Sequence, residues 1–327
     1  MAGLPDSFGG TLRRRGKSDA NQVTVTIPVP STVRVPVDDA AEPASSAAHS
    51  ESTPVLVEEI GPRTGLPICF LNGLLGVNEH WYDVSRTLAA RTTGSGAARC
   101  LIFGVPLVEL RSKDLSVDGV TRLVSRVIEE VVGGPAIIAG NSLGGHVAQR
   151  IAMERPELCK ALILAGSSGL FERTLERGVE HRPSFEWTEK KIKGLFFEEA
   201  SIPPGTIERA YEELSKRYAA RAIVKLGRSA KADHMGDRII HIRKPTLLIW
   251  GRQDNVTPPQ VAEEFHELIP DNRLVWVDRC GHAPMIERPQ EFAEATLAFL
   301  DELEGVGPGP SNAERSSSPP GLGDEEL

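Results

Sequence analysis

The segment Pro135-Ala-Ile-Ile-Ala-Gly-Asn-Ser-Leu-Gly-Gly constrains the fold of this chain more than any other. A short apolar run enters Gly140-x-Ser142-x-Gly144 with no spacer, and a helical apolar pattern over 143–153 begins at once. The backbone must pass from extended to helical within about two residues, and only small neighbours tolerate the crowding. Such a turn lifts the Ser142 hydroxyl above the edge of a sheet. The same rhythm recurs along the chain. Apolar runs at 68–71, 100–103, 136–139, 161–165, 246–250 and 274–277 read as strands buried on both faces. Helical spacing marks 117–132, 143–153, 259–268 and 291–303. Strand and helix alternating in this way predict an α/β protein with a mostly parallel central sheet flanked by helices.

With 327 residues, 40% of them hydrophobic, the chain can bury one core of roughly 250 residues. The expected division is a domain over 54–303 between two tails. Residues 1–53 are rich in Pro, Ser, Ala and Thr and read as mostly disordered, although 22–37 alternates valine and threonine between prolines and could form an edge strand or hairpin. Residues 304–327 are Gly, Pro, Ser and acids, and read as a second disordered tail. From about 171 to 237 the strand signal stops. Amphipathic patterns at 187–199 and 206–220 predict a helical cap inserted between two strands, over the carboxyl edge where open α/β sheets bind ligands.

A net charge of -8 disfavours a nucleic-acid partner, and the lone basic run, Arg13-Arg14-Arg15, reads as a solvated cluster. Cys69, Cys100, Cys159 and Cys280 lack any CxxC pairing and are expected to be buried and reduced. No signal-like segment and no long apolar run is present, so a cytoplasmic protein without an integral membrane segment is expected. No pair of His, Cys or carboxylate residues has metal-ligand spacing backed by a second pair, and neither a metal nor another cofactor is expected. The oligomeric state is not encoded in any pattern here.

A serine hydroxyl is a weak nucleophile at neutral pH and needs a base, itself oriented by a carboxylate. Both appear at the ends of later strands. The run 246–250 leads into Gly251-Arg-Gln-Asp254-Asn-Val-Thr-Pro258, and the run 274–277 into Asp278-Arg-Cys-Gly281-His282-Ala-Pro284. Each residue alone has an ordinary explanation, a helix cap for Asp254 and a loop histidine for His282. Three strand ends in the order Ser, Asp, His are the arrangement of a nucleophile-elbow hydrolase. Acyl transfer also needs two backbone N–H groups for the oxyanion. Leu143, directly after the nucleophile, supplies one. Leu74, in Asn72-Gly73-Leu74-Leu75-Gly76 after the first parallel strand, is assigned as the other.

On these motifs, residues from about 55 to 303 resemble the α/β-hydrolase superfamily of lipase-like and esterase-like serine hydrolases. The Gly140-Asn-Ser142-Leu-Gly-Gly145 elbow is similar to that of the meta-cleavage-product hydrolases. The resemblance implies the fold, the triad Ser142, Asp254 and His282, and the cap. Two departures stand out. Asn72 occupies the place of the family's usual oxyanion-loop histidine, so the side-chain bonding of that loop must differ. Phe103-Gly-Val-Pro-Leu replaces the usual Asp-x-x-Gly-x-Gly after the next strand, which alters a wall of the pocket.

Asn72, Trp81, Trp187 and Arg252 are candidate pocket residues, with core packing the competing role for the aromatics. His146, four residues past the serine, reads as structural. The leading expectation is hydrolysis of a carboxylic ester or related acyl bond of a small, largely apolar substrate. The alternative within the fold is a C–C bond hydrolase, for which Arg252, Arg221 or Arg228 could hold a substrate carboxylate. An alternative of another class is a non-catalytic ligand receptor or scaffold, which the complete set of three site residues argues against.

Overall fold

The structure is a computed structural model that describes residues 31–36, 52–91, 94, 96–104, 110, 114–171 and 183–306. Among them is an eight-stranded sheet of β1 (Ser31–Pro36), β2 (Ser52–Ile60), β3 (Leu66–Leu71), β4 (Ala98–Gly104), β5 (Ala136–Asn141), β6 (Cys159–Ala165), β7 (Thr246–Gly251) and β8 (Asn272–Val277). Its spatial order is β1-β2-β4-β3-β5-β6-β7-β8. The first two strands pair antiparallel, and β2 lies antiparallel to β4; every later pairing is parallel. This is the mostly parallel α/β sheet expected from the strand and helix rhythm, in the α/β-hydrolase arrangement that the resemblance implies.

Both faces of the sheet are covered, which is why its central strands are continuous apolar runs. One core joins Cys69, Leu101, Ile138, Leu162, Leu164 and Leu248 to helices α2 (Val117–Val131), α3 (Leu143–Glu154) and α8 (Pro259–Leu268). On the opposite face Phe70, Ile102, Ile137, Ile163 and Ile249 pack against α1 (Tyr82–Ala89) and α10 (Pro289–Leu303). Each Ile or Leu fully removed from water contributes about 1.5–3 kcal/mol. Local chemistry sets the helix starts. The Ser116 hydroxyl accepts from the Gly119 N–H at 3.0 Å to cap α2, and Pro259 and Pro289 occupy first-turn positions where no N–H is required.

Between β6 and β7 lie α4 (Phe185–Lys193), α5 (Thr206–Ser215), α6 (Arg217–Ala232) and the single turn α7 (Gly236–Ile239), and a further short helix, α9 (Pro284–Glu287), follows β8. The uninterrupted pattern expected over 206–220 is divided: Lys216 takes an extended ψ of 114°, ending α5 and starting α6. Ile192, Phe196 and Ala210 pack into the core beside α10, whereas Ala222, Leu226 and Ala230 pack into the one beside α2. The inserted helices therefore reach both faces of the sheet.

The edge strand was the alternative to disorder for 22–37, and β1 is that strand, with Pro36 as its last residue. The sequence reading passes over β2 entirely. Of the rest of the two expected tails, only residues 52–53, which open β2, and 304–306 are among the described residues. No helix among the described residues is long and apolar enough to cross a membrane.

Candidate active site

The carboxyl ends of the parallel strands are level. Leu71 of β3 is opposite Gly140 of β5, Asn141 of β5 opposite Ala165 of β6, and Gly251 of β7 opposite Val277 of β8. Loops leaving these ends carry Asn72–Gly76, Ser142, Asp254 and His282 to one rim.

Ser142 sits at φ 53°, ψ -120°, a backbone state that costs a non-glycine residue about 1–3 kcal/mol. Its surroundings enforce it. A Cβ at residue 140 would lie 2.3 Å from the Gly144 backbone, and one at residue 144 would lie 2.2 Å from the Leu71 carbonyl oxygen, so helix, elbow and neighbouring strand meet backbone to backbone. The Ser142 N–H donates to Ala165 O at 3.2 Å, and its carbonyl accepts from the His146 and Ser168 N–H groups.

Asp254 and His282 are both buried, at 2% and 5% exposure. The Asp254 Oδ2 to His282 Nδ1 distance is 2.8 Å. Three further donors converge on the carboxylate: Val256 N at 2.8 Å, Thr257 N at 3.0 Å and Thr257 Oγ1 at 2.8 Å. Because a carboxylate accepts, the imidazole proton is assigned to Nδ1, which makes Nε2 the basic nitrogen.

The histidine loop is held from three elements. The His282 N–H donates to Leu195 O, just beyond α4, at 2.7 Å. Its carbonyl accepts from Asn141 Nδ2 at 3.0 Å, and the same amide donates to Ala165 O at 2.9 Å. Glu287 accepts from Gly281 N at 2.7 Å and from Phe197 N at 2.8 Å. Residue 141, the immediate neighbour of Ser142, thus ties the elbow to the histidine. Gly166 runs beside the pair; a Cβ there would lie 3.1 Å from both Asp254 Oδ2 and His282 Nδ1.

Leu143 opens α3, where the first N–H groups have no intrahelical acceptor. Leu74 lies in a loop that passes against the elbow, since a Cβ at Gly73 would be 3.1 Å from Ser142 Cβ. Among the described residues neither Leu74 N nor Leu143 N donates a hydrogen bond. Asn72, in place of the expected histidine, is fully engaged. Its Oδ1 accepts from Trp81 Nε1 at 2.9 Å, and its Nδ2 donates to Asn78 Oδ1 at 2.9 Å and Phe103 O at 3.3 Å.

Two candidate pocket residues are corrected by the structure. Trp81 has no exposed surface and packs at a tilt against Phe70 and edge-on against Phe292, so no water-sized space touches it; it is a core residue that anchors Asn72. Arg252 lies on the surface over the Trp276 ring, paired with Asp278 at 2.7 Å. Trp187 is half-buried on α4, with the Lys191 ammonium 5.6 Å from its ring centroid, and among the described residues no hydrogen bond or ring contact joins it to Ser142, Asp254 or His282. Arg221 and Arg228 are on the exposed face of α6.

His146 is structural, as expected: fully buried, with Nε2 3.1 Å from Asp233 Oδ2. The hydrogen bond from His146, with Arg238 and Arg150 adding to it, holds the Asp233 carboxyl well below the usual carboxylate range. All four cysteines are buried and unpaired, and burial pushes their thiols up, Cys100 and Cys159 to about 12. None is a competing nucleophile. Sequence reasoning overlooked Asn141, Thr257 and Glu287, although the first two lie inside motifs quoted for a neighbour and Glu287 lies three residues beyond one. The usable signal was a polar side chain one to five residues from a site residue in a segment bound for burial.

The chain belongs to the alpha/beta hydrolase family, whose model matches residues 70–295. It is 30% identical over 183 residues to the 2-hydroxy-6-oxo-6-(2'-aminophenyl)hexa-2,4-dienoic acid hydrolase of Metapseudomonas resinovorans, a match spanning 53% of this chain and 62% of that protein, less than two thirds of its length. A pimeloyl-[acyl-carrier protein] methyl ester esterase of Nitrosomonas europaea is 27% identical over 210 residues, covering 55% of this chain and 77% of the relative. The crystal structure of MGS-MChE2, an alpha/beta hydrolase enzyme from the sediment metagenome of the Mar Chica lagoon, Morocco, superimposes with a TM-score of 0.60 at 30% identity. It covers 76% of this chain and 95% of that one.

Proposed function

We propose that the protein is a serine hydrolase that cleaves a carboxylic ester or related acyl bond of a small, largely apolar substrate through an acyl-enzyme on Ser142. The observation that carries this reading is the buried 2.8 Å contact between Asp254 and His282, tied by Asn141 to the residue next to Ser142. In this mechanism Ser142 Oγ adds to the substrate carbonyl while its proton passes to His282 Nε2. Asp254 stabilises the resulting imidazolium and keeps the tautomer correct. The tetrahedral oxyanion accepts from Leu74 N–H and Leu143 N–H, each worth on the order of 100-fold in rate. Collapse breaks the ester bond, and the alcohol leaves with the proton from His282. Water, deprotonated by the same nitrogen, then hydrolyses the acyl-enzyme.

The catalytic domain is taken as residues 54–303, with 171–237 as a cap. Supporting this, the inserted helices touch the site from two sides: Leu195 holds the His282 backbone, and a Cβ at Gly227 of α6 would lie 4.0 Å from the Leu74 side chain. Leu74, Leu143, Leu170 and Leu226 share one apolar cluster, which fits an apolar substrate. A cytoplasmic location belongs to the same reading, since four buried, unpaired thiols suit a reducing compartment.

A second reading, hydrolysis of a ring-cleavage dienoic acid, is favoured by the Metapseudomonas relative. It ranks lower because Arg252, Arg221 and Arg228, the arginines weighed for a substrate carboxylate, are all turned to solvent. Stopped-flow turnover of p-nitrophenyl esters of graded chain length, beside a ring-cleavage dienoate, tests both. An initial burst of one p-nitrophenolate per site, absent from Ser142→Ala, is expected. Equal ester turnover by both proteins would overturn the mechanism, and turnover of the dienoate alone would install the second reading.

A further inference from the structure

Helix α6, Arg217-Tyr-Ala-Ala-Arg-Ala-Ile-Val-Lys-Leu-Gly-Arg-Ser-Ala-Lys-Ala, carries five cations and no acid, in a chain whose net charge is -8. Arg217, Arg221, Lys225, Arg228 and Lys231 follow at steps of four, four, three and three residues. At 100° per residue they occupy a stripe about 120° wide and about 21 Å long. All five are exposed, and no ion pair to Arg217, Arg221, Arg228 or Lys231 is found among the described residues.

This arrangement works against the helix that bears it. Like charges three or four residues apart repel one another, and the stripe contains four such pairs in succession. Arg217 opens the helix, with Lys216 just before it and no acid in the first turn, so the positive end of the helix dipole meets positive charge. Local stability would favour glutamate at several of these positions. A run of choices that each weaken the local fold is the mark of a surface selected for something else.

We propose that the outer face of α6 is a docking surface for an acidic protein, one that presents carboxylates along a helix or ridge of similar length. Charge complementarity names the sign of the partner, and the side chains narrow its class. The apolar face of α6, Ala219, Ala222, Ile223, Leu226 and Ala230, is buried against the body, so no apolar face is left to enter a lipid surface. Three of the five cations are arginines, whose planar forks pair with carboxylates in bidentate fashion. A duplex carries phosphates on all sides and would bring them against the acidic remainder of the chain as well as the stripe, whereas a single acidic ridge of similar length meets the stripe alone. The stripe also lies on the outer side of a helix whose inner side meets Leu74 at Gly227. A protein docked there stands directly above the loop assigned to the oxyanion, although docking does not require Ser142 to be nucleophilic.

The test uses the full chain and a fluorescein-labelled, 20-residue helical peptide with glutamate along one face. The controls are a peptide of equal length in which lysines balance those glutamates, vesicles of equal phosphatidylglycerol and phosphatidylcholine, and a 20-base-pair DNA duplex. Anisotropy should show the acidic peptide binding more tightly than every control, with affinity falling as salt rises from 50 to 200 mM. The variant R217Q/R221Q/R228Q/K231Q should lose at least tenfold in affinity while its circular dichroism melt confirms that it folds. A substitution set confined to R221Q/R228Q should lose an intermediate amount. Unchanged peptide affinity in the folded variants, or tighter binding of vesicles or duplex than of the peptide, would overturn the proposal.

Discussion

The indole N–H of Trp81 donates to Asn72 Oδ1 at 2.9 Å, joining a core tryptophan to the first residue of the loop that passes against Ser142. Through this bond and the two donated by its amide, Asn72 ties the loop to Trp81, to Asn78 and to the Phe103 carbonyl of β4. Asn72→Ala leaves the Trp81 donor buried without a partner and loosens Leu74. On substrate turnover, kcat is expected to fall about tenfold to 100-fold with KM changed much less, because the oxyanion contact proposed for Leu74 forms only in the transition state. An effect on KM alone would assign Asn72 to substrate binding instead.

Asp254 is the acceptor of four hydrogen bonds, one of them from the imidazole of His282. Asp254→Asn retains the shape but offers Nδ1 a donor as readily as an acceptor, which permits the wrong tautomer. A loss in kcat of about 10³- to 10⁴-fold is expected without a comparable change in melting temperature. Wild-type activity in this variant would remove Asp254 from the mechanism.

Much of this architecture is legible in the sequence because parallel strands covered on both faces leave an unambiguous trace. All six apolar runs at 68–71, 100–103, 136–139, 161–165, 246–250 and 274–277 lie within strands, and the helix at 259–268 has the bounds its spacing predicts. Strand β2, by contrast, mixes Ser, Thr and Pro with Val, Leu and Glu and resembles the polar segment before it; only its pairing to β4 reveals it. The break at Lys216 is hidden for a related reason. Both sides of it are good helix, and the division follows from which core each part enters.

For the site, residues whose chemistry is intrinsic stand out, and residues that act by holding others do not. Ser142, Asp254 and His282 announce themselves by motif. Asn141 reaches the His282 carbonyl across 141 positions of sequence, a contact that no local pattern encodes. Trp81 misleads because a tryptophan near a pocket entrance and a tryptophan filling the core look alike until its exposure is known.

Glu287 is 5% exposed and accepts backbone N–H groups from Gly281 and Phe197, coupling the histidine loop to the segment after α4. Glu287→Ala strands these donors in a buried place, which should destabilise the fold by about 2–4 kcal/mol in urea unfolding. Glu287→Gln, which retains one acceptor oxygen, should lose less. Equal stability of all three proteins would contradict this role.

Asp233 bonds to His146 and Arg150 of α3 and to Arg238 of α7. Its carboxyl is held below the ordinary range, so the folded form binds a proton more weakly than the unfolded chain. That contribution is complete above the ordinary carboxylate value and fades as pH falls through the folded one. Asp233→Asn should lower stability at pH 7 by about 1–3 kcal/mol and show a shallower loss on acidification than wild type. Parallel pH profiles would count against the clamp.

Burial lowers the pKa of His80 from about 6.5 to about 4, with Glu79 opposing the shift and Arg209 adding to it. A depressed value means that the unfolded chain takes up a proton first. The stability so conferred is complete above pH 6.5 and is lost between there and pH 4, by an amount on the order of 3 kcal/mol. His80→Asn should flatten the urea midpoint across that window, and an unaltered slope would show that another group controls it.

The central claim, that Ser142 is a nucleophile activated by His282, is tested most directly by a fluorophosphonate followed by peptide mass spectrometry. Wild type should carry one phosphonyl group on the peptide containing Ser142, and Ser142→Ala should carry none. His282→Ala should react at least 100-fold more slowly. An unmodified wild-type protein, or a phosphonyl group retained by Ser142→Ala at the same yield, would contradict the account.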